Sequence, residues 1–250
     1  MKKILITGFM HSGTSILKSI IGHIPEVHEV YNEAKEVFLS PDNKSLSYHH
    51  PYHQGLVDES ISENKKFILC KEPHLIEHIH DDKYKDYIII LIIRNPLWVF
   101  SSMNRRAGYE CNGDLSFYKK AVEIFSNLQV NKKPNIYTIK YEDLFHNNYE
   151  NLRSILDSIG LKYSDDIFDN TKYKNHTADW VNTEEALKNI PNPRQHEAFR
   201  TYQINQPFVN NNTPNKINIP LRQLNYFKSI PEIIKLYPDI LKYQKISLFD

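Results

Sequence analysis

The sequence predicts a three-layer α/β fold in which helices cover both faces of a central parallel sheet. Short apolar segments alternate with segments whose apolar residues recur at helical spacing, an order typical of strand–helix–strand units. One apolar segment, Tyr87–Ile93, is hydrophobic at every position, as expected for a strand buried on both faces. The 250 residues suit one domain, and 40% hydrophobic with 24% charged residues is a globular composition that excludes a disordered chain.

Local patterns place the individual elements. Short apolar runs predict strands at residues 4–7, 27–31, 67–70, 87–93 and 136–141. Apolar stripes at helical spacing predict helices at residues 14–22, 96–106, 114–128 and 152–159. Pro96 suits a first helical turn, Asp114 an N-cap and Gly160 a helix end. Residues 40–64 are polar and are expected to form a loop.

Charge and cysteine content limit the classes of partner and compartment. Lys and Arg total 31 against 30 Asp and Glu, and a net charge of +1 argues against a nucleic-acid binder. The two cysteines, Cys70 and Cys111, are too few for a disulfide framework and favour a reducing compartment. The longest apolar run, 88–93, falls far short of the ~20 residues of a membrane span. The N-terminus reaches Gly8 before a signal-peptide core could form, so we expect a cytoplasmic protein.

A glycine-bounded loop joins the first predicted strand to the first predicted helix. Its sequence is Gly8-Phe9-Met10-His11-Ser12-Gly13-Thr14-Ser15, with two of the chain's seven glycines. Glycines let backbone N–H groups turn inward, and the helix N-terminus adds a partial positive charge. The loop therefore predicts a phosphate-type anion site, with an ordinary tight turn as the alternative.

Two absences narrow the kind of anion. A nucleotide triphosphatase would carry Lys at the position of Thr14, followed by Ser or Thr at the magnesium ion. This chain has Thr14-Ser15 there, and the strand at 87–93 ends in Arg94 where a Walker-type magnesium site needs Asp. Magnesium-dependent phosphoryl transfer is therefore disfavoured. A nucleotide kinase with a degenerate loop and a non-catalytic nucleotide-binding protein stay as the alternatives.

These segments resemble the sulfotransferase superfamily, whose donor is 3′-phosphoadenosine 5′-phosphosulfate (PAPS). The run His11–Ser15 matches the Ser-Gly-Thr-Thr/Ser core of the first family motif. Arg94, Pro96 and Ser102, with Ser102 eight residues after Arg94, match the second motif. The resemblance implies a P-loop-like fold and transfer of a sulfuryl group from PAPS to a hydroxyl or amine, without a metal. It also implies two sets of donor contacts: Ser12, Gly13, Thr14 and Ser15 for the 5′-phosphosulfate, and Arg94 and Ser102 for the 3′-phosphate.

Softer matches extend the resemblance to about residue 162. They are Lys71-Glu72-Pro73, which resembles a Lys-x-Pro element, and Tyr141-Glu142-Asp143-Leu144. Beyond residue 162 the periodicity is weak. We therefore expect one domain over 1–250, with a cofactor-binding core at 1–162 and a C-terminal extension or lid at 163–250.

The resemblance also implies the catalytic groups. The family often has Lys or Arg where His11 stands, so His11 is expected to contact the oxygen that bridges sulfate and phosphate. In branches that use Glu, the general base follows the second strand, which favours Glu33 with Glu36 as the alternative. If neither is the base, His11 is the next candidate. Lys71 is expected either in the active site or as a strand-edge lysine in solvent, and the two readings stay equal.

Several polar clusters leave open alternatives. Two groups of histidines have spacings that place side chains on one side of a helix: His49, His50 and His53, and His74, His78 and His80. Neither group matches a known zinc-binding pattern, so no metal is expected. Surface positions or contacts with the acceptor are the favoured roles. Arg200 is expected to close over the cofactor, with Phe199 and Tyr202 against the purine, and Trp98 is either core or cofactor contact.

The acceptor is left open between a glycan hydroxyl, a small alcohol and a tyrosine. Polar and aromatic residues dominate the expected lid, which favours a carbohydrate. The sequence does not determine the oligomeric state.

Overall fold

The computed structural model describes residues 1–30, 33–51, 55–169, 210, 212, 214 and 217–244. Its centre is a five-stranded sheet in which every neighbouring pair is parallel. Its strands are β1 (Lys2–Gly8), β2 (Val27–Glu29), β6 (Phe67–Lys71), β7 (Tyr87–Ile93) and β8 (Ile136–Lys140), in the order β2-β6-β1-β7-β8. All five correspond to predicted strands.

Helices cover both faces of this sheet. They are α1 (Thr14–Gly22), α2 (Pro96–Ala107), α3 (Leu115–Val130), α4 (Tyr141–Leu144), α5 (Glu150–Ile159), α6 (Leu221–Lys228) and α7 (Pro231–Leu236). Short 3-10 turns lie at Pro73–His78, Asp82–Tyr84, Asn112–Asp114, Asp165–Phe168 and Pro238–Lys242. The apolar sides of α1 and α5 form one buried cluster, and those of α2, α3, α6 and α7 form the other. The three predicted layers are therefore present.

Strand β7 shows why continuous apolarity indicates an interior strand. Ile89, Leu91 and Ile93 belong to the cluster under α2 and α3, whereas Ile90 and Ile92 belong to the cluster under α1 and α5. Each of these side chains is at most 1% exposed. Because successive side chains point to opposite faces of a strand, burial on both faces requires an apolar residue at every position.

The predicted helices are present, with ends that differ from the prediction by up to two residues, and one predicted cap differs. Asn95 caps α2 by accepting a hydrogen bond from the Leu97 N–H, and Pro96 occupies the first helical position. Gly160 ends α5 with a φ of 83°. Asp114 occupies the N-cap of α3, but its side chain makes no capping hydrogen bond, because it also ends a 3-10 turn that leads into the helix.

The expectation of a loop at residues 40–64 is wrong. This region contributes two strands, β4 (Ser45–His49) and β5 (Leu56–Ser60), which join β3 (Val37–Leu39) in an antiparallel three-stranded sheet. In β4, buried Leu46 and Tyr48 alternate with more exposed neighbours. Half-buried strands need only every second residue to be apolar, so a polar average composition concealed this one.

Within the described residues, no helix is long and apolar enough to cross a membrane.

The register of β1 against β7 gives a test of the fold. Gly8 pairs with Ile92, and a Cβ at Gly8 would lie 2.0 Å from the Ile92 carbonyl oxygen. We expect Gly8→Ala to lower the free energy of unfolding by about 2–3 kcal/mol, because neither backbone can yield cheaply. Urea unfolding measures this. Gly113→Ala is the control, since nothing lies within 4 Å of its Cβ; equal stability of the two variants would contradict this register.

Candidate active site

The loop between β1 and α1 turns through two left-handed residues. His11 has a φ of 61° and Gly13 a φ of 95°. A Cβ at Gly13 would lie 2.5 Å from the Tyr141 ring, so both the backbone conformation and the space require glycine there. This turn brings the loop over the N-terminus of α1, where the helix dipole favours an anion.

The same loop holds a buried hydroxyl. Ser12 is 0% exposed, and its Oγ has no hydrogen-bond partner among the described residues. Leaving a buried donor unsatisfied costs about 1–3 kcal/mol, which a bound anion would offset. The helix N-cap, Gly13, adds no side-chain cap, and the first turn of α1 carries no acidic residue. The loop therefore fits the phosphosulfate end of a donor nucleotide.

Arg94 lies directly after β7, beside this loop. Its Nε and Nη2 donate to the Asn212 Oδ1 at 2.8 and 2.5 Å, and its Nη1 donates to the His11 carbonyl oxygen at 3.4 Å. The guanidinium stacks over the Tyr141 ring, with Cζ 4.2 Å from the ring centroid. Burial lowers the pKa of Arg94 from its usual value. The guanidinium of Arg94 is thus a buried cation at the carboxyl ends of the sheet strands.

His11 connects the two predicted donor motifs. Its Nδ1 lies 2.9 Å from the Oγ of Ser102, on the second turn of α2. His11 and Ser102 therefore face the same space. Arg94 reaches this space too, because it donates to the His11 carbonyl oxygen. These contacts bring together residues predicted to bind the 5′-phosphosulfate and the 3′-phosphate of one donor molecule.

Lys71 and Glu33 form a buried ion pair next to the loop. Lys71 Nζ lies 2.6 Å from Glu33 Oε1 and donates to Ser15 Oγ at 3.0 Å. The side chains of Lys71 and Glu33 are 3% and 6% exposed. Of the two readings of Lys71, the solvent-exposed one is wrong. The ammonium lies between the proposed base and the first turn of α1.

Glu36 and Glu72 occupy different surroundings. Glu36 accepts a hydrogen bond from Lys83 at 2.8 Å on the protein surface, with its side chain 37% exposed. Glu72 is buried, and its Oε1 accepts from the His74 N–H. Burial, assisted by the charge of Glu33, raises the pKa of Glu72. Of the two sequence candidates for the base, Glu33 is the one beside the loop.

Sequence reasoning gave no role to Glu142 or Asn212. Glu142 Oε1 accepts from the Asn95 N–H at 2.9 Å and from Asn212 Nδ2 at 2.8 Å. Burial raises the pKa of this carboxyl. A cleft of about 630 Å³ opens beside these groups, and Trp98 and Tyr237 are in its wall. Glu142 belongs to the segment Tyr141–Leu144, which resembles a family element, whereas no local sequence pattern around Asn212 indicates a role in the site.

The remaining histidine candidates have contacts of their own. His50 is buried, His74 stacks on Phe117, His78 pairs with Asp81, and His80 contacts Lys133. The described part of the chain contains no group of three His, Cys, Asp or Glu residues that could hold a metal ion. His53, Phe199, Arg200 and Tyr202 fall outside the described residues.

A glycine-bounded loop between a strand and a helix, with an arginine after the neighbouring parallel strand, is the arrangement expected of a P-loop-like nucleotide-dependent transferase. The sulfotransferase domain family matches residues 1–206. The chain belongs to the sulfotransferase family. Its reaction is therefore PAPS-dependent sulfuryl transfer, as predicted, and the nucleotide-kinase alternative is wrong.

Two solved sulfotransferase domains support the fold. The sulfotransferase domain of the Synechococcus PCC 7002 olefin synthase matches with a TM-score of 0.55 and 14% identity, over 98% of this chain and 96% of that one. The sulfotransferase domain of the curacin biosynthetic pathway gives 0.50 and 14%, over 98% and 99%. Mouse sulfotransferase SULT7A1, complexed with PAP, gives 0.49 and 14%, over 96% and 86%. A search of curated protein sequences finds no match. The predicted three-layer P-loop-like fold is confirmed.

The Lys71–Glu33 pair gives a thermodynamic test of this geometry. Removing one member of a buried pair leaves the other charge uncompensated, so we expect Glu33→Gln to lower the free energy of unfolding by about 3 kcal/mol. Adding Lys71→Met should cost less than the sum of the single changes, with a coupling energy of about 1–3 kcal/mol. Urea unfolding of the four proteins measures the cycle. Exposed Glu36→Gln should change stability by under about 1 kcal/mol; additive effects of Glu33 and Lys71 would show that the pair does not form.

Proposed function

We propose that this sulfotransferase moves the sulfuryl group of PAPS to an acceptor hydroxyl at the Lys71–Glu33 pair. The observation that carries the proposal is the position of Lys71, whose ammonium contacts both Glu33 and Ser15. One cation thus joins the residue proposed to take the acceptor proton to the loop proposed to hold the donor. An acceptor oxygen placed between Glu33 and the loop would be in position to attack the sulfur atom of the donor.

The phosphate loop would hold the reacting end of the donor. PAPS supplies an activated sulfuryl group on a phosphate leaving group. Ser12, Gly13, Thr14 and Ser15 are proposed to bind its 5′-phosphosulfate, supported by the unpartnered Ser12 hydroxyl and the left-handed turn at Gly13. Backbone N–H groups fixed in place stabilise charge on the leaving phosphate without reorganising.

Arg94 and Ser102 are proposed to bind the 3′-phosphate. A guanidinium can meet a phosphate bidentately, and a charge-assisted bond of this kind is strong in a buried position. His11 is proposed to contact the oxygen bridging sulfate and phosphate through Nε2, since its Nδ1 contacts Ser102. Arg200 is proposed as a further donor contact, on the basis of sequence alone.

Glu33 is proposed as the general base, and Lys71 as its electrostatic partner. Glu33 would accept the acceptor's proton as the S–O bond forms, and the contact with Lys71 would hold its carboxyl group in place. The same ammonium can offset negative charge on the sulfuryl oxygens, because it already reaches Ser15. Lys71 thus serves both the acceptor and the donor side.

A carbohydrate hydroxyl is the proposed acceptor. Support comes from the polar and aromatic composition of residues 163–250, and from His74, whose ring stacks on Phe117 with 6.3 Å between centroids. Flat rings beside polar groups suit sugar faces. A cytoplasmic location is also proposed: Cys70 and Cys111 are both buried and free, which fits a reducing compartment.

Replacing the proposed base tests the mechanism. Glu33→Gln keeps the size of the side chain but removes its proton affinity, so sulfuryl transfer should fall by roughly 10²–10⁴-fold. PAP affinity should change little, since Glu33 serves the acceptor. Transfer of labelled sulfate from PAPS to a panel of sugars, alcohols and phenols measures the first quantity, and calorimetry measures the second.

Glu36→Gln is the matched control on the same segment and should retain full turnover. If Glu36→Gln is inactive and Glu33→Gln active, the base is Glu36. If both variants turn over normally, neither carboxylate is the base and the proposed role of the Lys71–Glu33 pair is wrong.

A further inference from the structure

The side chain of Asn212 lies between the buried guanidinium of Arg94 and the half-buried carboxyl group of Glu142. Its Oδ1 accepts from Arg94 Nε and Nη2, and its Nδ2 donates to Glu142 Oε1 at 2.8 Å. The amide therefore meets the cation with its acceptor and the anion with its donor. Asn212 lies beyond the family match, which ends at residue 206.

This contact occupies the edge of Arg94 that a phosphate would use. Nε and Nη2 form one of the guanidinium edges that can bind an oxyanion bidentately, and here both donate to one amide oxygen. The other sides of the guanidinium are held by the His11 carbonyl and the Tyr141 ring, and Arg94 is 9% exposed. An incoming phosphate therefore reaches that edge only after the amide oxygen leaves.

We propose that Asn212 is an internal ligand of Arg94 that the 3′-phosphate displaces, so that this side chain sets how strongly the enzyme distinguishes nucleotides with and without a 3′-phosphate. The inference rests on the proposed role of Arg94. A neutral amide suits this place, because a phosphate adds the attraction of its own negative charge to the guanidinium, which an amide oxygen without net charge lacks. A carboxylate would instead form a buried ion pair that resists displacement.

The contact between Glu142 and the Asn212 Nδ2 also opposes displacement of Asn212 by a phosphate. Glu142 Oε1 accepts from Asn95 as well as from Asn212, and its Oε2 has no partner in the described part of the chain. Displacing Asn212 therefore also removes a donor from a half-buried carboxylate that is already short of partners. Asn212 lowers the affinity for a 3′-phosphate through both of its contacts.

Calorimetric binding of PAP and of adenosine 5′-phosphate, which lacks the 3′-phosphate, tests the inference. The proteins are the wild type, Asn212→Ala, Arg94→Ala and the double variant. Asn212→Ala should tighten PAP binding by about three- to ten-fold, the equivalent of one net hydrogen bond, and leave adenosine 5′-phosphate unchanged. The gain should vanish when Arg94 is also replaced. Asn212→Asp should weaken PAP binding by at least about ten-fold, since a carboxylate competes for Arg94.

The outcomes separate this inference from the proposed function. If Arg94→Ala selectively weakens PAP but Asn212→Ala weakens it or leaves it unchanged, the internal-ligand role is overturned and the role of Arg94 stands. If Arg94→Ala leaves PAP binding as in the wild type, both the internal-ligand role of Asn212 and the proposed role of Arg94 are wrong. Unchanged affinity for adenosine 5′-phosphate shows that each variant is folded.

Discussion

The geometry of the site depends on the buried ammonium of Lys71. An unpaired charge at its depth would cost several kcal/mol, so partners must lie within reach. Glu33 neutralises it at 2.6 Å and Ser15 accepts its hydrogen bond at 3.0 Å. Lys71 ends β6, Glu33 follows β2, and Ser15 lies in the first turn of α1. One cation therefore fixes the loop after β1, Glu33 and the sheet edge relative to one another.

Sheet order brings the second cation to the same edge. Strands β6, β1 and β7 are neighbours and run parallel, so the groups at their carboxyl ends lie side by side. Lys71 ends β6, the loop follows β1, and Arg94 follows β7. The contact between His11 and Ser102 closes the gap between loop and helix. Two buried cations on either side of a phosphate loop suit a nucleotide with anionic groups at both ends, as PAPS has.

The sequence was most informative where one local pattern had one structural meaning. Continuous apolarity identified β7, and glycine spacing before a helical stripe identified the loop. The strand β4 was missed because Leu46 and Tyr48 alternate with polar residues over too short a run. The contact between Lys71 and Glu33 depends on the relative positions of two strands, which no local pattern encodes. Asn212 contacts Arg94 across the fold and was unpredictable for the same reason.

Choice of nucleotide tests the central claim most directly. Calorimetric titration should show PAP binding at one site per chain without added metal, and ADP with magnesium binding far more weakly. This preference follows from Arg94 after β7, where a Walker-type magnesium site has Asp, and from the absence of the loop lysine at Thr14. Tight binding of ADP with magnesium together with no binding of PAP would contradict the account.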